Sequence, residues 1–170
     1  MPKNPLVSPF LKWVGGKRQL LTEIQAELPR QISRLRYYEP FIGGGAVFFS
    51  LQPRHAIIND YNSELVNAYQ IIKDYPEELI ADLMTHHNDS EYFYAIRNID
   101  RDAEAFEQLT DIQRASRIIF LNKTCYNGLY RVNKNGQFNV PYGKYKNPKI
   151  IDEENILLVS KLLKKTKIIC

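Results

Sequence analysis

The sequence predicts an α/β fold built on a doubly wound parallel sheet, interrupted by an inserted helical region that ends in a β-hairpin. Short apolar stretches alternate with segments of helical spacing over the first 74 residues, the pattern of strands and crossover helices. Three consecutive glycines, Gly43, Gly44 and Gly45, separate one such stretch from the helix after it, and an acid, Asp60, closes the next stretch. Farther on, strand signals give way to a series of helix starts, and Asn135-Gly136 stands between two alternating stretches.

Each element has a local cause. After a proline-containing leader, "GGKRQLLTEIQAEL" sets Leu20, Leu21, Ile24 and Leu28 on one helical face and stops at Pro29. "RYYEPFI" reads as a strand entering the glycines, and "AVFFSL" as a helix ending before Pro53. "HAIIND" is a second strand with Asp60 as its last residue, and "SELVNAYQIIK" places Leu65, Tyr69 and Ile72 at helical spacing. Pro76 with Glu77 and Glu78 opens a helix, Ser90 with Glu91 opens another, and "TDIQ" from Thr110 is a capping box. A hairpin is expected from about Leu129 to Val140, then a helix over "NILLVSKLL" and a strand at "KIIC". The organisation expected is a cofactor-type sheet over residues 1–74, an inserted region over 75–150, and a return to the sheet over 151–170.

The chain has 170 residues, 44% hydrophobic, 25% charged and 12% aromatic, enough for one domain with a core. Its apolar runs are too short for a membrane span, and the N-terminus lacks the apolar centre of an export signal, so a cytoplasmic location is expected. Cys125 and Cys170 stand far apart without partners at metal-ligand spacing, which favours two reduced thiols. His86 and His87, adjacent on a helix, would point about 100° apart and make a poor metal pair.

Charge is unevenly spread. Lys123, Arg131, Lys134, Lys144, Lys146 and Lys149 lie in a stretch with no acid, leaving 17 basic against 19 acidic residues elsewhere. Tyr126, Tyr130, Phe138, Tyr142 and Tyr145 are interleaved with these cations, as in a nucleic-acid contact; a surface loop region that merely lacks acids fits the composition equally.

A strand that ends in bare backbone leaves room for a ligand to press against it, and an acid ending the next strand can accept from two ribose hydroxyls. Gly43, Gly44, Gly45 and Asp60 thus describe a pocket for an adenosine-containing cofactor; a tight turn beside a helix-capping acid is the alternative. NAD binding fits poorly, because its glycine pattern requires glycine where Phe48 stands. A phosphate-binding loop fits no better: Arg18 replaces the hydroxyl, and Leu11 stands where the first glycine is needed.

Four ordered blocks, "PFLKWVGGKRQLL", "YYEPFIGGGAVFF", "NDYNSELVNAYQIIK" and "YNGLYRVNKNGQFNVPYGKYKNPKI", closely resemble the Dam-type DNA adenine-N6 methyltransferases and their restriction-modification relatives, of the D12 class and group alpha. The resemblance implies a Rossmann-like methyltransferase fold using S-adenosylmethionine, with an incomplete sheet in this chain. It implies that Trp13 and Lys17 contact the cofactor, that Phe41, Gly43 and Gly45 form the turn under its amino-acid end, and that Asp60 holds its ribose. Lys17 can pair with a carboxylate; Trp13 can add an apolar wall or simply pack in the core. It also implies that the hairpin enters the groove of double-stranded DNA, with Tyr126, Asn127, Leu129, Arg131, Asn133 and Pro141 at DNA-contacting positions. Arg131 has the planar fork that matches guanine O6 and N7, whereas Lys144 and Lys146 suit phosphates. GATC is the target that the resemblance implies.

Methylation of adenine N6 requires a flipped base whose amine is held in line with the methyl sulfonium. The family does this with a D-P-P-Y tetrapeptide, and this chain contains no adjacent prolines. No catalytic residue is therefore expected here, and the chain alone is expected to be inactive. A fragment of a longer enzyme, one half of a split enzyme completed by a second polypeptide, and a non-catalytic DNA-binding remnant all fit, preferred in that order.

Overall fold

The structure, a computed structural model, describes residues 3–170. Three parallel strands, β1 (Tyr37–Glu39), β2 (Ala56–Asn59) and β3 (Thr166–Ile169), lie in the order β1-β2-β3. Tyr37 stands opposite Ala56, and Ala56 opposite Thr166. The strand expected at "KIIC" is thus β3, which pairs along β2 and stops at Ile169.

Helix α2 (Ala46–Leu51) joins β1 to β2 and buries Val47, Phe48, Phe49 and Leu51. The chain from β2 to β3 passes through α3 (Ser63–Asp74), α4 (Pro76–Leu83), α5 (Ser90–Asn98), α6 (Ala103–Glu107), α7 (Asp111–Thr124) and α8 (Glu153–Leu163). The expected helix after the leader divides into a tight 3-10 turn at Lys17–Leu20 and α1 (Leu21–Glu27). Its apolar face is only half covered: Leu21, Ile24 and Leu28 are partly buried and Leu20 is exposed.

Helix starts follow local chemistry. Thr110 and Gln113 form the expected capping box, the Thr110 Oγ1 accepting from Gln113 N–H at 3.2 Å and the Thr110 N–H donating to Gln113 Oε1 at 3.0 Å. Helix α5 opens at Ser90 as expected, and Asp89 before it is the cap: the carboxylate accepts from Tyr92 N–H at 2.9 Å. Helix α6, capped by Asp102, is too short to show a period and was not expected.

Helix α7 is the wall between two apolar clusters. Ile118 and Ile119 join the larger one, with Ile58 of β2, Leu65 and Tyr69 of α3 and Val159 of α8. Phe120, Leu121 and Cys125, which follows α7, join the smaller, with Phe93, Phe138 and Val140. A helix apolar on opposite sides is buried nearly throughout, and each fully covered Leu, Ile or Phe contributes about 1.5–3 kcal/mol.

The expected hairpin forms. Val132 and Phe138 are bridged antiparallel, Asn133 N–H donates to Gln137 C=O at 2.9 Å, and Asn139 N–H to Arg131 C=O at 3.0 Å. Its loop has three residues rather than two. Gly136 N–H closes onto Asn133 C=O at 3.0 Å, and Gly136 alone in the loop takes positive φ (+77°), the turn-plus-left-handed-glycine form of hairpin. Among the described residues no helix is long and apolar enough to cross a membrane.

Candidate cofactor pocket and nucleic-acid interface

The glycine turn is held from both flanks. Beyond the β1–β2 pairing, Ile42 N–H donates to Asn59 C=O at 2.8 Å, and Asn59 Nδ2 donates to Pro40 C=O at 2.9 Å. Gly43 and Gly45 take φ of +49° and +73°, a region open to glycine at no cost from a Cβ. The Asp60 carboxylate accepts from Gly43 N–H at 2.9 Å through one oxygen and from Asn62 N–H at 3.0 Å through the other. From α3, the buried Tyr69 hydroxyl donates to Gly43 C=O at 3.0 Å. The expected convergence of glycine turn and acid is thus a direct hydrogen bond.

These groups line a cavity of about 190 Å³, walled also by Trp13, Lys17, Glu39 and Phe41. All six residues to which the sequence resemblance assigns cofactor contact meet there. Phe41 is 74% exposed at the mouth. Glu39, missed from sequence, ends β1 directly before the turn. Burial pushes its carboxyl up, while a 2.6 Å bond from the Tyr37 hydroxyl and the Lys17 charge pull it back toward ionisation. Its position at the C-terminal end of a strand, where ligands bind in open α/β sheets, was the signal available.

A hollow of about 360 Å³ between helical region and hairpin is larger, but both of its arginines are already matched, Arg114 with Glu64 and Arg117 with Asp100. In the pocket over the glycine turn, bare backbone and both signs of charge converge.

Trp13 joins the cavity to the hairpin region. Its indole lies against Gly43 and stacks on Tyr130, ring centroids 4.5 Å apart and planes 17° off parallel. Asn122 of α7, almost fully buried, fixes the same junction: its Oδ1 accepts from Lys12 N–H, and its Nδ2 donates to Lys12 C=O and Gly128 C=O, all at 2.9 Å. A buried amide must find such partners, but nothing in the sequence says which.

Tyr126, Asn127, Arg131, Pro141, Lys144 and Lys146 are exposed. Asn127, in a turn after α7, and Lys144 both take left-handed backbone, with φ of +54° and +55°. Leu129 is half-buried against the smaller apolar cluster. The Asn133 side chain is engaged within the loop, accepting from Asn135 and Gln137 N–H and donating to Gln137 Oε1. Arg131 is held by Asn139 across the hairpin. The base of the hairpin is clamped: Phe138 N–H donates to Asp100 at 2.8 Å, and Arg117 forms an ion pair with the same carboxylate at 2.8 Å. Cys125 lies beneath, its thiol pushed up to about 11 by burial, so it packs rather than reacts at neutral pH. Among the described residues no cluster of His, Cys, Asp or Glu is arranged for a metal ion.

Comparison with known proteins gives the family. A type II methyltransferase, M1.LlaDCHI, of Lactococcus lactis subsp. cremoris is 49% identical over 172 residues, covering 99% of this chain and 59% of the relative. The type II methyltransferase M.MjaIII of Methanocaldococcus jannaschii is 45% identical over 180 residues, covering 96% and 62%. A DNA adenine methylase of Serratia marcescens is 40% identical over 150 residues, covering 85% and 52%. The chain thus spans between half and two thirds of the length of these relatives. Residues 13–170 match the family model of D12 class N6 adenine-specific DNA methyltransferases, and the chain belongs to that family.

Proposed function

We propose that this chain holds S-adenosylmethionine and double-stranded DNA for methyl transfer to adenine N6, with GATC as target, in the cytoplasm. The observation that carries the proposal is the Asp60–Gly43 hydrogen bond, which sets a carboxylate and bare backbone on one cavity. When bound, the cofactor supplies an electrophilic methyl group on a sulfonium.

The lining fits that molecule group by group. Among the described residues Lys17 is the one cation on the cavity wall and suits a carboxylate; Glu39 and Asp60 are the acids there. Asp60 gives one lone pair per oxygen to main-chain N–H groups and keeps the others for ribose hydroxyls. Glu39 suits the ammonium, and Trp13 and Phe41 supply apolar walls. At about 190 Å³ the cavity is smaller than the ~300 Å³ at which ligand pockets usually begin, so it encloses part of the cofactor and leaves the rest at the open mouth.

Next to it, the hairpin and the segments flanking it bring Tyr126, Asn127, Leu129, Arg131, Asn133 and Pro141 to the DNA groove, while Lys144 and Lys146 hold phosphates. The tetrapeptide expected to hold the target amine is not in these 170 residues, so binding without transfer is expected of this chain alone.

Calorimetry with S-adenosylmethionine and fluorescence anisotropy with a GATC duplex test the reading. Asp60→Ala should weaken cofactor binding at least tenfold, about 1.4 kcal/mol, and leave duplex affinity unchanged, with thermal melting confirming the fold. Cofactor affinity equal to that of the unaltered chain would remove Asp60 from the site and the proposal with it.

A further inference from the structure

We propose that Asn139 is a positioning residue that aims the Arg131 guanidinium at a guanine edge, an inference resting on the hairpin being the DNA-reading element. The two residues face each other across the hairpin, and three hydrogen bonds join them. Asn139 N–H donates to Arg131 C=O at 3.0 Å. In return, Arg131 Nε–H donates to Asn139 Oδ1 at 2.8 Å and Arg131 Nη2 to Asn139 C=O at 3.2 Å.

A guanidinium has five donors in a fixed plane. Asn139 occupies the Nε–H and one Nη2 hydrogen, the side-on edge. One Nη1 hydrogen and the other Nη2 hydrogen stay free on the end-on edge, the parallel fork that guanine O6 and N7 accept in the major groove. Among the described residues no carboxylate forms an ion pair with Arg131, so the exposed fork keeps its charge unmatched. A free arginine side chain has about 2 kcal/mol of rotamer entropy to lose on docking. Asn139 restricts that freedom before DNA arrives, and it leaves a single edge with which to bind bidentately.

The test is competition anisotropy with a GATC duplex and duplexes in which each G·C pair is replaced singly, using the unaltered chain, Arg131→Ala, Asn139→Ala, Asn139→Ser and Asn139→Asp. Arg131→Ala should lose about 10- to 100-fold of discrimination at one base pair. Asn139→Ala and Asn139→Ser should lose part of the discrimination at that same pair, with affinity for an unrelated duplex unchanged. Serine withdraws the oxygen from reach yet stays polar, so it decides the matter should alanine cost the fold. Asn139→Asp keeps the acceptor; it should retain discrimination while its charge lowers affinity for every duplex alike. A role confined to folding would not separate the two readouts.

Discrimination retained in Asn139→Ser but lost in Arg131→Ala overturns the inference and leaves the hairpin reading standing. A uniform loss over all duplexes in Asn139→Ser also overturns it, making Asn139 a general contact. No preference in the unaltered chain, or full preference in Arg131→Ala, removes the hairpin reading itself, and the inference falls with it.

Discussion

Replacing Gly45 by alanine adds a methyl group at the tightest point of the glycine turn. A Cβ there lies 2.6 Å from Phe49 Cε2 and 2.6 Å from the Tyr69 hydroxyl, and both side chains are buried. Two costs add. Left-handed backbone at φ +73° costs a side-chain-bearing residue about 1–2 kcal/mol, and forcing atoms into a packed core costs about 1–3 kcal/mol. The expected loss is therefore roughly 2–5 kcal/mol. Gly136 supplies the control, since its φ is +77° but nothing lies within 4 Å of its Cβ; Gly136→Ala isolates the backbone cost. Gly43→Ala meets Trp13 Cδ1 at 2.9 Å, and the half-buried indole can move aside, so its stability should fall between the two. Thermal unfolding followed through Trp13, the one tryptophan in the chain, reads all three variants. With about 2–4 °C per kcal/mol for a chain of this size, Gly136→Ala should melt roughly 2–8 °C below the unaltered chain and Gly45→Ala roughly 4–20 °C below. Equal melting of Gly45→Ala and Gly136→Ala would show that Phe49 and Tyr69 do not close on the turn, and the rigid cradle built on them would be refuted.

Two further perturbations probe the packing beneath the hairpin. His86 is held neutral: its Nδ1 meets the Tyr92 hydroxyl at 2.7 Å, its Nε2 the Ser116 hydroxyl at 3.1 Å, and its ring stacks on Phe120. Burial lowers its pKa, the Asp82 charge opposes the shift and His87 adds to it. The unfolded chain therefore takes up this proton first, so stability is full above about pH 6.5 and declines as pH falls below it. Urea unfolding of the unaltered chain and His86→Gln at pH 7.5 and 5.5 should show a smaller pH-dependent loss in the variant, and parallel losses would exclude His86 as the source. Asp100→Ala deprives Arg117, whose side chain is 8% exposed, of its carboxylate, a loss of about 3–5 kcal/mol for a buried pair. It also frees the Phe138 N–H, whose hydrogen exchange should accelerate more than that of β2 amides; unchanged exchange at Phe138 would rule out the clamp.

Much of the architecture was legible because its causes are local. The glycine turn and Asp60 follow covalently from the ends of β1 and β2, and the crossover through α2 brings those ends side by side. The capping box at Thr110 and the hairpin loop at Gly136 depend on residues within four positions of each other. What sequence could not supply is partnership at a distance. Asn122 and Lys12 are 110 residues apart, and Asp100 and Phe138 are 38 apart; either polar side chain could as well have faced water. Glu39 and Asn139 were hidden differently. Each stands next to a residue or motif already singled out, yet its role emerges only from what lies across the sheet edge or the hairpin. The start of α5 at Ser90 was legible in the same local way, and the side chain that caps it is that of the preceding residue, Asp89.

Transfer between two bound molecules requires that their sites keep a fixed separation, because displacement of about 1 Å at the reacting atoms can cost about a hundredfold in rate. In this fold the separation is built into the core. Asn122 of α7 ties the main chain at Lys12, next to Trp13, to Gly128 at the entrance to the hairpin. The Trp13–Tyr130 stack bridges the same gap with side chains, and the two apolar clusters grip opposite sides of α7. Pocket and hairpin thus share one packed helix with no flexible linker between them. For the proposed reaction, a motion that opened the pocket would have to pull Trp13 from Tyr130, so loss of cofactor order and loss of hairpin order should occur as one event.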